Sequence, residues 1–252
     1  MTGTIDLNAD IGEGSGPEAE DPEILAAVST AHIACGFHAG GPEVMRRAVT
    51  AAVRAKVAVG AHPSYPDAPG FGRRPLDRPA EQVADDVLYQ IGALAGIARA
   101  CGAEMVSVKP HGALYHRVSA DRAVALAVAR AVRDFDPSLR LVVAAGSPTW
   151  PDLASVGLAL VAEGFGDRAY ASDGTLVPRD RPGAVLSDPE AAARQAVSIA
   201  VDGVAVAVDG RPVTVTAATL CLHGDTPGAP AVARTVRRAL EAAGLVVAAP
   251  AR

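Results

Sequence analysis

The sequence lacks the marks of several protein classes. Of its 23 basic residues only Lys56 and Lys109 are lysines. The arginine pairs Arg46-Arg47, Arg73-Arg74 and Arg237-Arg238 are isolated, and no basic run relieves a net charge of −5. A nucleic-acid partner, which asks for a basic stripe or face, is therefore not expected. Cys35, Cys101 and Cys221 stand far apart in apolar surroundings and form no CxxC pair. That is the pattern of buried free thiols in a reducing compartment. No apolar run approaches the roughly 20 residues that span a bilayer. The N-terminus shows neither the basic nor the apolar region of a secretory signal. A cytoplasmic location without a membrane partner is expected. Also missing are the GxSxG of a nucleophile elbow, the GxxxxGK[ST] of a phosphate loop and the HExxH of a metalloprotease helix.

The shortage of lysine sharpens attention on Lys109. Where arginine is the usual basic residue, a lysine beside histidine places a compact charge that can lose its proton on desolvation, which arginine effectively cannot.

What is present is apolar material in alternating short and long patterns. Half of the 252 residues are apolar, enough for a sizeable core. Short apolar runs occupy 5–10, 32–38, 57–62, 105–111, 141–146, 158–163 and 219–223. Helical spacing fills 42–55, 80–100, 121–135, 189–200 and 229–242. Such alternation predicts parallel strands joined by crossover helices, a (β/α) barrel of seven or eight strands. The run 245–249 is expected as an eighth or an outer strand. Residues 204–217 read as two short strands around Asp209-Gly210, a hairpin outside the barrel. Residues 170–187 read as a long loop. No linker interrupts the pattern, so one domain over 1–252 is expected.

The chemistry gathers where the runs end. They finish in Asn8-Ala9-Asp10 with Glu13 following, in Gly36-Phe37-His38, in Ala61-His62, in Lys109-Pro110-His111, in Glu163 with Asp167-Arg168 following and in His223-Gly224-Asp225. In a parallel barrel the C-terminal strand ends meet at one rim, where active sites lie. Taken singly, these residues have ordinary explanations. Asp10 or Asp225 suits a helix cap, Glu163 suits solvent, and a lone histidine suits a structural hydrogen bond. Four of six histidines at four run ends point instead to a shared polar site. Its expected catalytic residues are Asp10, His62, Lys109, His111 and Asp225. Asn8, Glu13, His38, Arg73, Arg74 and His223 are expected against the substrate. The loop 63–74 would bring its arginine pair to an anion. Asp with several His also suits a divalent metal.

Segments 6–13, 33–40, 60–67 with 70–74, 108–115 and 221–227 together resemble the LamB/YcsF family along nearly the whole chain. The departures include His32 and Gly41, where that family usually carries Asn and Asp. The resemblance implies an irregular (β/α) barrel that is polysaccharide-deacetylase-like. It further implies the A subunit of an ATP-dependent 5-oxoprolinase. With subunits B and C, such a protein opens the cyclic amide 5-oxo-L-proline to L-glutamate at the expense of ATP. Two other readings are a metal-dependent deacetylase or related carbohydrate-active hydrolase, with Asp10, His62 and His111 as ligands, and a non-catalytic scaffold subunit.

Overall fold

The structure, a computed structural model, describes residues 3–14, 21–224 and 228–250. Strands β1 (Thr4–Ile11), β2 (Thr30–Ala34), β3 (Ala58–His62), β4 (Met105–Val108), β5 (Arg140–Ala144), β6 (Ala159–Phe165) and, after a hairpin, β9 (Thr219–Leu222) run parallel in that order. β9 pairs with both β6 and β1, which closes a seven-stranded barrel. The hairpin is β7 (Val204–Val206) with β8 (Pro212–Thr214), antiparallel and apart from the barrel sheet. The last strand, β10 (Val246–Val247), pairs parallel with β1 at Thr4 and Ile5, outside the ring.

Helices supply the crossovers. They are α1 (Asp21–Leu25), α2 (Pro42–Ala55), α3 (Ala80–Ala100), α4 (Gly112–Ala120), α5 (Arg122–Phe135), α6 (Trp150–Ala154), α7 (Pro189–Asp202) and α8 (Ala229–Ala242). Proline at the first turn of α2, α7 and α8 costs no helical hydrogen bond. Asp121 and Asp188 cap α5 and α7 by accepting from Ala123 and Val124, and from Glu190 and Ala191. The connection from β4 to β5 holds two helices, because His111 leads straight into α4 before Asp121 restarts the chain as α5.

Alternation along the strands sorts side chains between two cores. On β1, Ile5, Leu7, Ala9 and Ile11 join the apolar cluster, as do Val49 of α2, Val87 of α3 and Val236 of α8. The opposite set, Asp6, Asn8 and Asp10, bonds across the barrel. Thr30 and His32 of β2, Ser107 of β4, Glu163 of β6 and Thr219 of β9 belong to the same buried polar interior. At its base Asp6 accepts from Ser29 and Thr30 at 2.7 and 2.8 Å and from Thr219 at 2.6 Å. Burial still pushes its carboxyl above the ordinary value, against those hydroxyl donors. Gly60 leaves room for this layer. A Cβ there would come within 2.7 Å of Ser107 Oγ and collide with the His32 ring.

Candidate active site

The cleft opens at the C-terminal rim of the barrel. Asp10, Glu13, His62, Arg73, Lys109, His111, Glu163 and His223 are among its lining residues. Strand register explains the assembly. β1 delivers Asp10 and then Glu13, β3 ends on His62, and the chain leaving β4 presents Lys109 and His111.

Lys109 is the charged centre of the floor. Its Nζ lies 2.5 Å from Asp10 Oδ1, 2.9 Å from Asn8 Oδ1, 3.2 Å from Cys221 Sγ and 3.3 Å from Glu163 Oε1. Burial alone would lower its pKa. The Asp10 charge, with lesser help from Cys221 and Glu163, holds the ammonium well above its usual value. Burial likewise opposes ionisation of Asp10, but His62 and then Lys109 hold that carboxyl well below the usual range. Asn8 sits beneath and orders the floor. Its amide nitrogen donates to Glu163 Oε1 at 3.0 Å and to Thr219 at 2.7 Å, and its oxygen takes Lys109 and the His32 ring.

Beside the ammonium stands a group of imidazoles. His62 Nδ1 donates to the Lys109 carbonyl at 2.7 Å, and His111 Nε2 donates to the Phe71 carbonyl at 2.9 Å. The free edges, His62 Nε2 and His111 Nδ1, lie 3.0 Å apart. Glu13 Oε1 is 3.1 Å from His111 Nδ1, 3.7 Å from His62 Nε2 and 2.8 Å from His38 Nε2. His38 stacks flat on His111 at 3.8 Å between centroids. Burial lowers the His38 pKa to about 4, against the pull of Glu13, so His38 carries one proton near neutral pH and can donate it to Glu13. Glu13 itself is held far below the usual carboxylate range. Burial opposes this, and the hydrogen bonds from His111 and His38 outweigh it. Glycine at position 72 keeps the rings close, since a Cβ there would sit 2.9 Å from both His111 and His38. Glu13, His38, His62 and His111 together form a set able to hold a metal ion, and so do Asp10, Cys221 and His223.

Basic residues line the cleft as well, namely Arg73, Arg168 and Arg179, and so does His116. Arg168 is buried and donates to the carbonyls of Ala184 and Val177. Its guanidinium pKa is lowered, first by burial and then by the charge of Arg179. Two positive charges held together in a cleft suit an anion. His223 closes the circle, gripped by Asp167 through its backbone N–H at 2.8 Å and its ring at 3.0 Å.

The expected residues divide accordingly. Asp10, Glu13, His62, Arg73, Lys109, His111 and His223 line the cleft. Asn8 and His38 lie behind its wall, fully buried. The expectation that they touch substrate is corrected to a supporting place. Arg74 is also corrected. It is paired to Asp67 within its own loop and lies off the cleft, whose lining includes only its neighbour Arg73. Asp225 lies outside the described residues. Glu163, for which solvent is the simple expectation, is instead buried against Asn8 and Lys109. Cys221, which reads as an inert core thiol, touches the Lys109 ammonium. Arg168, which follows the run at 158–163, lines the cleft although it is outside the expected set.

Comparison with known proteins gives one answer. A sequence model described as "LamB/YcsF family" matches residues 5–252. A protein of Methylococcus capsulatus, named as the A subunit of 5-oxoprolinase, is 51% identical over 251 residues, 99% of this chain and 96% of that protein. One of Symbiobacterium thermophilum with the same name is 52% identical over 248 residues, 98% and 95%. The crystal structure of a lactam utilization protein from Thermus thermophilus matches with a TM-score of 0.91 at 49% identity, over 98% of this chain and 100% of that one. The fold extends further. The catalytic domain of a peptidoglycan N-acetylglucosamine deacetylase from Eubacterium rectale superposes with a TM-score of 0.51 at 12% identity, over 100% and 90%. The barrel is thus polysaccharide-deacetylase-like.

Proposed function

The chain belongs to the LamB/YcsF family, and on that premise we propose that it is the A subunit of an ATP-dependent 5-oxoprolinase and that its cleft opens the lactam ring. The observation behind the reading is the cluster of Lys109, Asp10, Glu13, His62 and His111 at one rim, in a cleft also lined by Arg73, Arg168 and Arg179. Relatives at about half identity over almost the whole chain carry that subunit's name.

A five-membered lactam resists water, because its amide resonance must be broken. Transfer of the γ-phosphoryl group of ATP to the amide oxygen makes the ring carbon electrophilic. Water then adds to that carbon and gives up a proton to a base. The C–N bond breaks as the nitrogen takes a proton, leaving an acyl phosphate. A second water releases phosphate and glutamate. The sequence of steps needs a base, an acid and fixed positive charge. Asp10, ionised and next to His62 at 3.4 Å, is the proposed base. His62 and His111 pass protons. Lys109 faces the negative charge that builds on the oxygens, and Arg73 with Arg168 and Arg179 receives the ring carboxylate or the phosphoryl group.

The chain carries no GxxxxGK[ST] sequence. Phosphoryl transfer is therefore assigned to the assembly with subunits B and C. Among the described residues no helix is long and apolar enough to cross a membrane. The test is co-expression with the cognate B and C chains, followed by assay of glutamate from 5-oxo-L-proline and ATP. The complex should release glutamate, and the isolated chain should release none and leave ATP intact. A silent complex, or full turnover by the isolated chain, would refute the assignment.

A further inference from the structure

Two hydrogen bonds fix the tautomers of the imidazole pair. The Lys109 and Phe71 carbonyl oxygens can only accept, so the proton of His62 sits on Nδ1 and that of His111 on Nε2. On singly protonated rings, His62 Nε2 and His111 Nδ1 are then bare lone pairs, facing each other at 3.0 Å. Both also face Glu13 Oε1, at 3.7 and 3.1 Å. Three electron-pair donors then converge, and none can donate a proton to another. Either a further proton or a metal ion relieves that arrangement.

Carboxylates lie close by. Asp10 and Glu163 lie against the Lys109 ammonium, and Glu13 lies against the two imidazoles. Two imidazoles and a carboxylate also match zinc, whose ligand bonds of about 2.0–2.2 Å in a tetrahedron place donor atoms about 3.3–3.6 Å apart. The surrounding bonds are those that hold ligands to an ion: carbonyls on the far nitrogen of each imidazole, and His38 donating to the Glu13 oxygen.

We infer that Glu13, His62 and His111 bind one divalent ion, zinc by their donor chemistry, with His38 orienting Glu13. The second candidate set, Asp10 with Cys221 and His223, is discounted because the Lys109 ammonium already lies against Asp10 and Cys221. Glu13, His62 and His111 all line the cleft, so a water or substrate oxygen can reach the ion there. Asp10 then stands beside it as proton acceptor. The inference rests on the proposed function only in taking this cleft as the working site, and it gives His62 and His111 metal ligation in place of proton transfer.

The experiment uses the full chain, stripped with chelator and titrated with zinc chloride by calorimetry, with bound metal counted by elemental analysis. One zinc per chain is expected. Glu13→Gln and His111→Gln should each bind at least about 100-fold more weakly, since a lost ligand exceeds the 10–100-fold cost of losing a supporting group. Cys221→Ser should bind as the parent does. Absence of stoichiometric zinc on a chain folded by circular dichroism would overturn the inference, and the two imidazoles would then share a proton. Unchanged affinity in the Glu13 and His111 variants would overturn it equally. Should those variants fail to fold, His38→Ala decides: about 10–100-fold weaker binding at the same stoichiometry supports the site, and unchanged affinity refutes it. No substrate or partner subunit is present. A missing metal therefore leaves the oxoprolinase reading standing, and a silent complex leaves the metal site standing.

Discussion

The Lys109 ammonium and the Asp10 carboxylate meet at 2.5 Å with both side chains almost wholly withdrawn from water. Neither ion would tolerate that position alone. Desolvation disfavours each, and each restores the other. Such a pair adds little over a well-packed apolar pair, yet losing one partner strands a buried charge at a cost of about 3–5 kcal/mol.

Lys109→Met should therefore lower both stability and activity. The unfolding free energy should fall by about 3–5 kcal/mol, because Asp10 and Glu163 lose their counter-charge. Activity of the complex should fall about 100-fold or more with the loss of a charge-stabilising group. Lys109→Arg should not restore turnover, since the guanidinium is larger and its fork geometry does not match one point among Asp10, Asn8 and Glu163. Urea denaturation and glutamate release measure the two effects. Parent-like turnover in the methionine variant would leave Lys109 a structural role only.

Much of this site is legible in the sequence, for a topological reason. Parallel strands put their C-terminal ends on one rim, so Asp10, His62, Lys109, His111 and His223 become neighbours wherever they lie in the chain. Glu163 is half legible. Its place at the end of a run puts it on that rim, but its burial against Asn8 and Lys109, in place of solvent, is set by packing. Asn8 and His38 sit at the right depth in sequence but one layer behind the cleft, a distinction set by packing. Arg73 and Arg74 look alike in sequence. The turn at Phe71 and Gly72, both with positive φ, sends one guanidinium to the cleft and the other to Asp67. The split of the β4–β5 crossover into α4 and α5 is not signalled, because 112–120 follows the run ending in His111 without a break of its own.

A pH dependence follows from Asp167. Burial pushes its carboxyl up, but the charge of His223 and the hydrogen bonds from its ring and backbone N–H bring it below the ordinary aspartate value of 3.8. A depressed folded-state pKa means stabilisation that is fully present above that ordinary value and is lost as pH falls through the folded one. Asp167→Asn keeps the shape and removes the charge. At pH 7 it should cost about 1.5–3 kcal/mol, the range for hydrogen bonds to a charged group. The gap to the parent should narrow below pH 3.8. Urea midpoints at neutral pH and at successive steps through acid would reveal it, and a gap that widens in acid would contradict the sign.

Arg73 tests how the basic residues of the cleft meet substrate. Its guanidinium lies over the Phe71 ring, 4.8 Å from the centroid, and the Phe71 carbonyl in turn holds His111. The arginine is thus placed at the mouth by the same residue that sets the imidazole tautomer. If it grips the carboxylate of 5-oxo-L-proline equally in ground and transition states, its loss should raise KM and spare kcat. Arg73→Ala should raise KM for the lactam by about 10–100-fold, the equivalent of about 1.5–3 kcal/mol for a charge-assisted hydrogen bond. The kcat at saturation should stay within about threefold. Arg73→Lys should recover only part of the loss, because an ammonium keeps the charge but neither forks across a carboxylate nor stacks as a plane on Phe71. Initial rates over a range of lactam concentrations, with ATP saturating, separate the two constants. A fall in kcat with KM unchanged would move Arg73 from substrate binding to transition-state stabilisation and place the carboxylate on Arg168 and Arg179 instead.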